Sequence, residues 1–274
     1  MFPASVTAAA QAHGVAEYPR EAAGLVVDGA YLPCANLSPN PEKTFEIDGD
    51  LFLKYRGRIE ALIHSHPDWW PVPSEKDMRQ QLAMDVPWGI YNVAKATGKT
   101  SADPVTFSPV VWFGRQVPKG PLIGRGFMHG FTDCLSEIED YHALQGIKLP
   151  PSPRSWEWWL DSIDDDGTPV PAKDFYRDLY EPYGFERIDG PAPGAVFMVA
   201  MGELPDGRSI TTPNHAGIYL GNHRILHHLT RRNPIDFTRK SARQSLSHWT
   251  PFFNAPPIWV RHRDLKTKGL IEIT

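Results

Sequence analysis

The chain has 274 residues, of which 41% are hydrophobic and 22% are charged. This composition predicts a folded protein and excludes a disordered one. The length favours two modest domains over one large core. The net charge of −4 and the pI near 6.3 argue against a general nucleic-acid binder, because no basic stripe is available for phosphates. No run of about 18 apolar residues is present, so the sequence predicts no membrane span.

The first part of the chain predicts a domain of mixed helices and strands. The alanine-rich N-terminus lacks a basic start, and we interpret it as a helix that ends near Pro19 rather than as a secretory signal, so we expect the protein in a cytoplasm. Regular hydrophobic patterns then predict four elements: strands over 22–27 and 61–66, a helix over 74–85 and a closing strand over 105–114. The segment 115–126, rich in Gly, Pro and charge, is interpreted as a linker between domains 1–114 and 127–274.

The second part begins with a helix and ends with strands. Residues 133–146 predict the helix, because apolar residues recur at helical spacing and Gly146 suits the C-terminal cap. A long irregular stretch with tryptophans at 156, 158 and 159 follows, and it is either a substrate-facing insertion or satellite core. The last part predicts three strands, of which two form a hairpin at Gly221-Asn222: 194–201, 215–221 and 224–229.

Two histidines lie two positions apart in the predicted strand 61–66. Because side chains alternate along a strand, His64 and His66 share one face and both reach one ion. Asp77, in the first turn of the next helix, offers a carboxylate oxygen as a third ligand. Two histidines and one carboxylate leave a position for water, which is typical of catalytic zinc. The alternative is structural, since residues 74–77 also form a capping box and H-x-H alone is a weak signal.

The complete string H-S-H-P-x6-S-x2-D resembles the signature of the JAB/MPN metallopeptidases, also called JAMM isopeptidases. The other element of that family, a glutamate ahead of a glycine and an apolar strand, matches PREAAGLVV and provides Glu21. The resemblance implies that His64, His66 and Asp77 bind Zn²⁺, that Glu21 is the general base and that Ser74 stabilises the oxyanion. The chemistry is consistent, because zinc lowers the pKa of water to about 7 and a carboxylate accepts its proton.

Only Cys34 and Cys134 offer thiols, and a structural disulfide is not expected in a reducing compartment. Cys34 is interpreted as a buried structural cysteine. Cys134 begins a predicted helix, where the helix dipole and free N–H groups favour the thiolate, although a buried structural role is the alternative. His215, which opens a later strand, is the candidate base. The hairpin register decides whether His227 or His228 approaches it.

The motifs H-G-x-x-D-C, H-A-G-I-Y-L-G and I-L-H-H resemble the NlpC-type cell-wall cysteine peptidases, which have a papain-like fold. The resemblance implies that Cys134 is the nucleophile, His215 the base and His227 the orienting residue. It also implies cleavage of peptidoglycan stem peptides at D-glutamyl–diaminopimelate bonds. Two positions depart from the family pattern: the tyrosine expected ahead of the nucleophile has no match, with Phe127 the nearest aromatic, and Glu137 replaces an apolar residue.

A JAB/MPN-type domain followed by an NlpC-type domain resembles the tail tip assembly protein K family of lambda-like siphophages, from YPREAAG to WVRHRD. The resemblance implies an α+β protein with a cytidine-deaminase-like α/β/α domain and a papain-like domain. It implies a hydrolase that carries Zn²⁺, contacts other tail tip proteins, and is found in the host cytoplasm during assembly and at the virion tail tip. The metallopeptidase substrate is expected to be an isopeptide or a tail-protein bond. The alternative is a structural assembly or plug component whose peptidase domains are inactive.

Overall fold

The chain forms two compact units. The computed structural model describes residues 2–96, 103–163, 168–230, 233–265, 270, 271 and 273. The first unit is Met1–Pro118 with Ile163–Thr168, and the second is Lys119–Ser162 with Pro169–Thr274. Both contain helices and strands, which confirms the predicted α+β class with two domains. Within the described ranges, no helix is both long and apolar enough to cross a membrane.

The first unit is built around one mixed sheet. Its elements in chain order are α1 (Ala4–Glu17), β1 (Ala23–Val27), β2 (Ala30–Cys34), α2 (Gly49–Lys54), β3 (Ile59–Pro67), α3 (Glu75–Met84), β4 (Trp88–Lys95), β5 (Val105–Phe107) and β6 (Val111–Phe113). The strand order is β2-β1-β3-β4-β5, and β6 also pairs with β4. Strands β3 and β4 are parallel, whereas the other pairs are antiparallel.

The two faces of this sheet have different partners. Val6 and Ala10 of α1 pack on one face against a cluster that includes Ile63 of β3. Because side chains alternate along β3, His64 and His66 point to the opposite face. Helix α3 lies there, since its first turn contacts both histidines. The common face that the sequence predicted for the two histidines is therefore present.

The predicted closing strand 105–114 is divided in two. Strand β5 pairs Val93 with Phe107, and β6 pairs Ile90 with Val111, so the register against β4 shifts by one residue between them. Pro109 lies in the interruption and has no N–H to donate to the neighbouring strand. The proline therefore accounts for the break that hydrophobicity alone did not indicate.

The second unit is built around an antiparallel sheet. Its elements are β7 (Gly126–Met128), α4 (Cys134–Leu144), β8 (Ser162–Ile163), β9 (Pro169–Val170), α5 (Phe175–Tyr180), β10 (Phe185–Ile188), β11 (Val196–Val199), β12 (His215–Gly221), β13 (Arg224–His227), β14 (Ile235–Lys240), β15 (Ala242–Ser245), α6 (Leu246–Trp249), a 3₁₀ turn (Thr250–Phe252) and β16 (Ile258–His262). The strand order is β10-β16-β11-β12-β13-β15, and β14 pairs with β7.

Helix α4 covers one face of the second sheet. Its residues Cys134 and Ile138 belong to a core cluster with Ala216 and Ile218 of β12. A second cluster on the other face includes Phe197 of β11. The hairpin between β12 and β13 is present, but its tight turn is formed by residues 222 and 223, both in the left-handed region, rather than by residues 221 and 222.

Two segments with ambiguous sequence patterns contribute residues to the core of the second unit. In the segment expected to be a linker, Leu122 joins the core cluster and Arg125 forms an ion pair with Asp140. In the tryptophan-rich stretch, Trp158 is buried in the same core cluster, so this side chain has the core role that was one of the two alternatives from the sequence. The domain boundaries 1–114 and 127–274 stay predictions.

Candidate active sites

Three potential metal ligands converge in the first unit. Strand β3 supplies His64 and His66, and the first turn of α3 supplies Asp77. All three are buried, and one ligand atom from each lies within 4.8 Å of the others. The two Nε2 atoms are 3.1 Å apart, and they lie 3.5 and 3.6 Å from the carboxylate oxygens of Asp77.

This geometry matches the requirements of a metal ion. Tetrahedral zinc with bonds of ~2.0–2.1 Å separates its ligand atoms by roughly 3.3 Å, close to the distances observed here. The donor set of two imidazoles and one carboxylate is also that of catalytic zinc. The three residues therefore fit such an ion.

Neighbouring hydrogen bonds orient the ligands. His66 Nδ1 lies 2.9 Å from the carbonyl oxygen of Trp70. A carbonyl only accepts, so Nδ1 carries a hydrogen, and in the neutral ring, the form that binds a metal, the Nε2 lone pair points into the cluster. Asp77 Oδ2 accepts hydrogen bonds from the backbone N–H and hydroxyl of Ser74, at 2.8 and 2.7 Å. The Asp77 N–H donates to Ser74 Oγ in return, so the capping box is present and is compatible with the ligand role.

The cluster favours a positive charge. Burial lowers the pKa of His66, but hydrogen bonding to Asp77 and the charge of Glu21 outweigh burial and raise the pKa to about 9. Burial lowers the pKa of His64, and it opposes the ionisation of Asp77. The histidines nevertheless hold the pKa of Asp77 well below its usual range. Two carboxylates beside buried imidazoles thus provide the charge environment that a cation requires.

Glu21 lies beside this cluster. Ala23 pairs with His64 across β1 and β3, and the antiparallel register, continued by two residues, places Glu21 opposite His66. A cavity of about 290 Å³ is lined by Glu21, His66, Ser74 and Asp77, among others. The structure therefore brings together all five residues predicted for this site.

The nucleophile candidate of the second unit begins α4. Asp133 caps the helix, since its carboxylate accepts hydrogen bonds from the backbone N–H groups of Ser136 and Gly130, at 3.0 and 2.7 Å. Arg154 holds the same carboxylate with three contacts of 2.5–3.2 Å. Arg154 and Asp133 are each only 2% exposed. This buried ion pair fixes the helix end that carries Cys134.

The thiol of Cys134 is buried and neutral. Its Sγ lies 3.1 Å from the hydroxyl of Tyr176, and a backbone hydrogen bond from Ala216 also acts on it. Burial and the charge of Asp133 raise the pKa of Cys134 to about 12, despite the hydrogen bond with Tyr176. The helix N-terminus was expected to favour the thiolate, but burial and the charge of the capping carboxylate act in the opposite direction and favour the neutral thiol.

Two buried histidines meet beside β12. His215 Nε2 and His227 Nδ1 are 3.0 Å apart. Gly217 pairs directly with His227, so His215 and His227 lie diagonally on one face of the sheet. A Cβ at Gly217 would come within 2.8 Å of the His227 Cβ and 2.6 Å of a backbone oxygen, which explains the glycine. His228 instead donates to the carbonyl oxygen of Arg239.

The register thus resolves the choice between the two adjacent histidines in favour of His227. Burial lowers the pKa of His215 well below its usual range and that of His227 to about 4, so both rings are neutral at neutral pH. In the described part of the chain, the Cys134 thiol shares a hydrogen bond with the hydroxyl of Tyr176 and none with His215. The sulfur nevertheless lies beside Ala216, the residue that follows His215.

The structure adds residues that the sequence analysis missed. Tyr176 reaches the thiol from α5, and Arg154 reaches Asp133 from the tryptophan-rich stretch. Gln244 accepts a hydrogen bond from His227 at 2.7 Å. No local sequence pattern indicated Tyr176 as a partner of the thiol.

Comparisons with known proteins agree with this architecture. Residues 3–104 match a family model described as prokaryotic homologs of the JAB domain, and residues 123–253 match the NlpC/P60 family. Tail tip assembly protein K of Escherichia phage N15 is 33% identical over 230 residues, 81% of this chain and 83% of that protein. Its namesake in Escherichia phage lambda is 32% identical over 203 residues, 73% of this chain and 85% of that protein. The chain therefore belongs to the tail tip assembly protein K family and joins a JAB-like N-terminal domain to an NlpC/P60 C-terminal domain.

Proposed function

We propose that this phage tail tip protein is a bifunctional amide hydrolase, with a thiol peptidase in the second unit and a zinc peptidase in the first. The observation that carries the proposal is the position of Cys134. Its sulfur lies at the N-terminus of α4 and beside Ala216 in the strand that begins with His215, within an NlpC/P60 domain. The protein acts with other tail proteins, in the host cytoplasm during assembly and at the virion tail tip.

The thiol peptidase cleaves peptidoglycan stem peptides, at the D-glutamyl–diaminopimelate bond that NlpC-type enzymes recognise. Because both partners are neutral, His215 acts as a general base rather than as half of a preformed ion pair. The Cys134 sulfur exchanges its hydrogen bond with Tyr176 for one with His215 and attacks the amide carbon while its proton passes to the imidazole. The C–N bond breaks, His215 returns the proton to the leaving amine, and water hydrolyses the thioester. His227 orients the His215 ring throughout.

The test is muropeptide analysis of purified peptidoglycan after incubation with the protein. We expect the wild-type chain to release cleaved stems and Cys134→Ala to release none. Cys34→Ala is the matched control, because this second buried cysteine lies in the first unit and no part of the mechanism uses it. Cleavage by Cys134→Ala at the wild-type rate rejects the assignment.

In the first unit, His64, His66 and Asp77 would hold Zn²⁺, which would supply acidification of water and polarisation of a carbonyl. Glu21 accepts a proton from the attacking water and returns it to the leaving amine. The Ser74 N–H holds Asp77 in place, and the Ser74 hydroxyl exchanges its hydrogen bond with Asp77 for one with the oxyanion. The substrate is an isopeptide or a tail-protein bond, and incubation of wild-type and His66→Ala proteins with purified tail tip proteins, followed by mass spectrometry, tests this.

One observation favours a second candidate, a structural tail tip component without turnover. The Cys134 thiol is neutral, buried and hydrogen-bonded to Tyr176, which is also what an inactive centre requires. The two candidates differ in the muropeptide assay. A wild-type chain that leaves both peptidoglycan and tail tip proteins intact supports the structural role.

A further inference from the structure

A chain of hydrogen bonds extends from the base candidate to the surface of the second unit. His215 Nε2 meets His227 Nδ1 at 3.0 Å, and His227 Nε2 meets Gln244 Oε1 at 2.7 Å. The indole N–H of Trp249 donates to the same amide oxygen. The Trp249 ring also packs edge-to-face against His227, with centroids 4.7 Å apart.

The indole of Trp249, the last residue of this series, determines the direction of every hydrogen bond in it. An indole N–H only donates, so the Gln244 atom that faces Trp249 is the amide oxygen and not the NH₂ group. The same oxygen faces His227, so His227 Nε2 carries a hydrogen and donates it. His227 Nδ1 then has a lone pair and accepts the hydrogen of His215 Nε2. His215 Nδ1 is left unprotonated.

We propose that Gln244, held by Trp249, is a positioning residue that fixes the tautomers of His227 and His215 so that Nδ1 of His215 is free to accept a proton. The role in catalysis rests on the proposed thiol peptidase, because the Cys134 proton must pass to an unprotonated nitrogen. The opposite orientation of the Gln244 amide would reverse these hydrogen bonds. His227 Nδ1–H would then donate to His215 Nε2, and the single ring hydrogen of the neutral His215 would lie on Nδ1. A ring in that state cannot act as the base.

The inference requires both rings to be neutral, since an imidazolium has a hydrogen on each nitrogen. Burial lowers the pKa of both histidines, as described above. Gln244 itself is exposed on β15, which lies at the edge of the sheet beside β13. Substitutions there therefore change the hydrogen bond with little loss of core packing.

The direct test is ¹⁵N–¹H correlation spectroscopy of the full chain labelled in histidine, with His215→Ala and His227→Ala used for assignment. We expect Nε2–H tautomers for both rings at pH 7. In Gln244→Lys, an ammonium that only donates replaces the acceptor, so we expect both tautomers to invert. Gln244→Glu retains acceptor oxygens and keeps the wild-type tautomers. Ser245→Lys is the control, because it adds the same charge one residue away, where side chains point to the other side of the strand.

Kinetics on peptidoglycan stems provides the second readout. Inversion of the base tautomer in a serine protease triad costs about 10⁴ in rate, and we expect Gln244→Lys to lower kcat by ~10²–10⁴ with little change in KM. Trp249→Phe keeps an aromatic ring but loses the N–H, so we expect a mixture of tautomers and a smaller loss of kcat. An Nδ1–H tautomer of wild-type His215, or unchanged tautomers in Gln244→Lys, overturns the assignment. If the tautomers are as inferred but the wild-type chain cleaves no stems, Gln244 keeps its positioning role and the proposed function fails.

Discussion

Replacement of Arg154 by methionine leaves a buried carboxylate without its cationic partner. Burial opposes the ionisation of Asp133, but the charge of Arg154 holds the pKa of Asp133 well below its usual range. Both side chains are almost fully buried, at 2% and 3% exposure. Removal of one partner from a buried pair costs about 3–5 kcal/mol, because the desolvated charge that remains is no longer compensated. In a unit of this size, such a loss lowers the melting temperature by roughly 6–20 °C.

The pH dependence of this loss identifies its cause. In the wild-type chain, the depressed pKa of Asp133 stabilises the fold above the unfolded pKa of about 3.9, and this contribution disappears as the pH falls through the folded pKa. In Arg154→Met, the guanidinium no longer opposes burial, so the pKa of Asp133 rises and the stabilisation that its ionisation provides above about pH 4 is reduced or lost. The difference in the free energy of unfolding between the wild type and Arg154→Met is therefore largest at neutral pH and decreases in acid.

Differential scanning calorimetry between pH 3 and pH 8 measures both effects. Arg208→Met is the matched control, because the Arg208–Asp206 pair is exposed on both sides and its removal should leave the transition of the second unit unchanged. A melting temperature of Arg154→Met within about 2 °C of the wild type at pH 7 would refute the reasoning. So would a loss that is as large at pH 3 as at pH 7.

Three further predictions concern individual side chains. Glu137 is fully buried, neither of its carboxylate oxygens has a hydrogen-bond partner among the described residues, and burial raises its pKa well above the usual range. Glu137→Gln should therefore stabilise the protein, relative to the wild type, increasingly above about pH 4.5. Plots of melting temperature against pH for the two proteins that stay parallel from about pH 4 to pH 8 would contradict this. The hydrogen bond from Tyr176 lowers the pKa of Cys134, so Tyr176→Phe should slow alkylation of this thiol by iodoacetamide in a Cys34→Ala background, and an equal or faster rate would count against it. Elemental analysis should find about one zinc per wild-type chain and none in His66→Ala, whereas the exposed control His248→Ala should keep its zinc.

The local architecture of the metal-ligand cluster could be predicted from the sequence. Alternation along 61–66 placed His64 and His66 on one face, and they are there because β3 is a regular strand with α1 packed on its other face. The capping pattern located the start of α3, and thereby the position of Asp77. These properties depend on neighbours within a few residues, which the sequence shows directly.

Register and side-chain partners could not be predicted in the same way. The choice between His227 and His228 depends on which residue pairs with Gly217, and hydrophobicity on both sides of the hairpin allowed either. Tyr176 and Gln244 approach the thiol and the histidine pair from elements far away along the chain. Neither residue has a sequence pattern that indicates its partner.

The sequence alone determined the family, the two-domain α+β class, and the residue types and spacing of both candidate centres. Only the tertiary structure decided the state of the thiol. A helix N-terminus predicts a low pKa for Cys134, but burial and the carboxylate of Asp133 raise the pKa despite the hydrogen bond with Tyr176. The physical reason is that the dipole of a helix is a local property of the backbone, whereas desolvation is the sum of contacts made by segments that only the fold brings together.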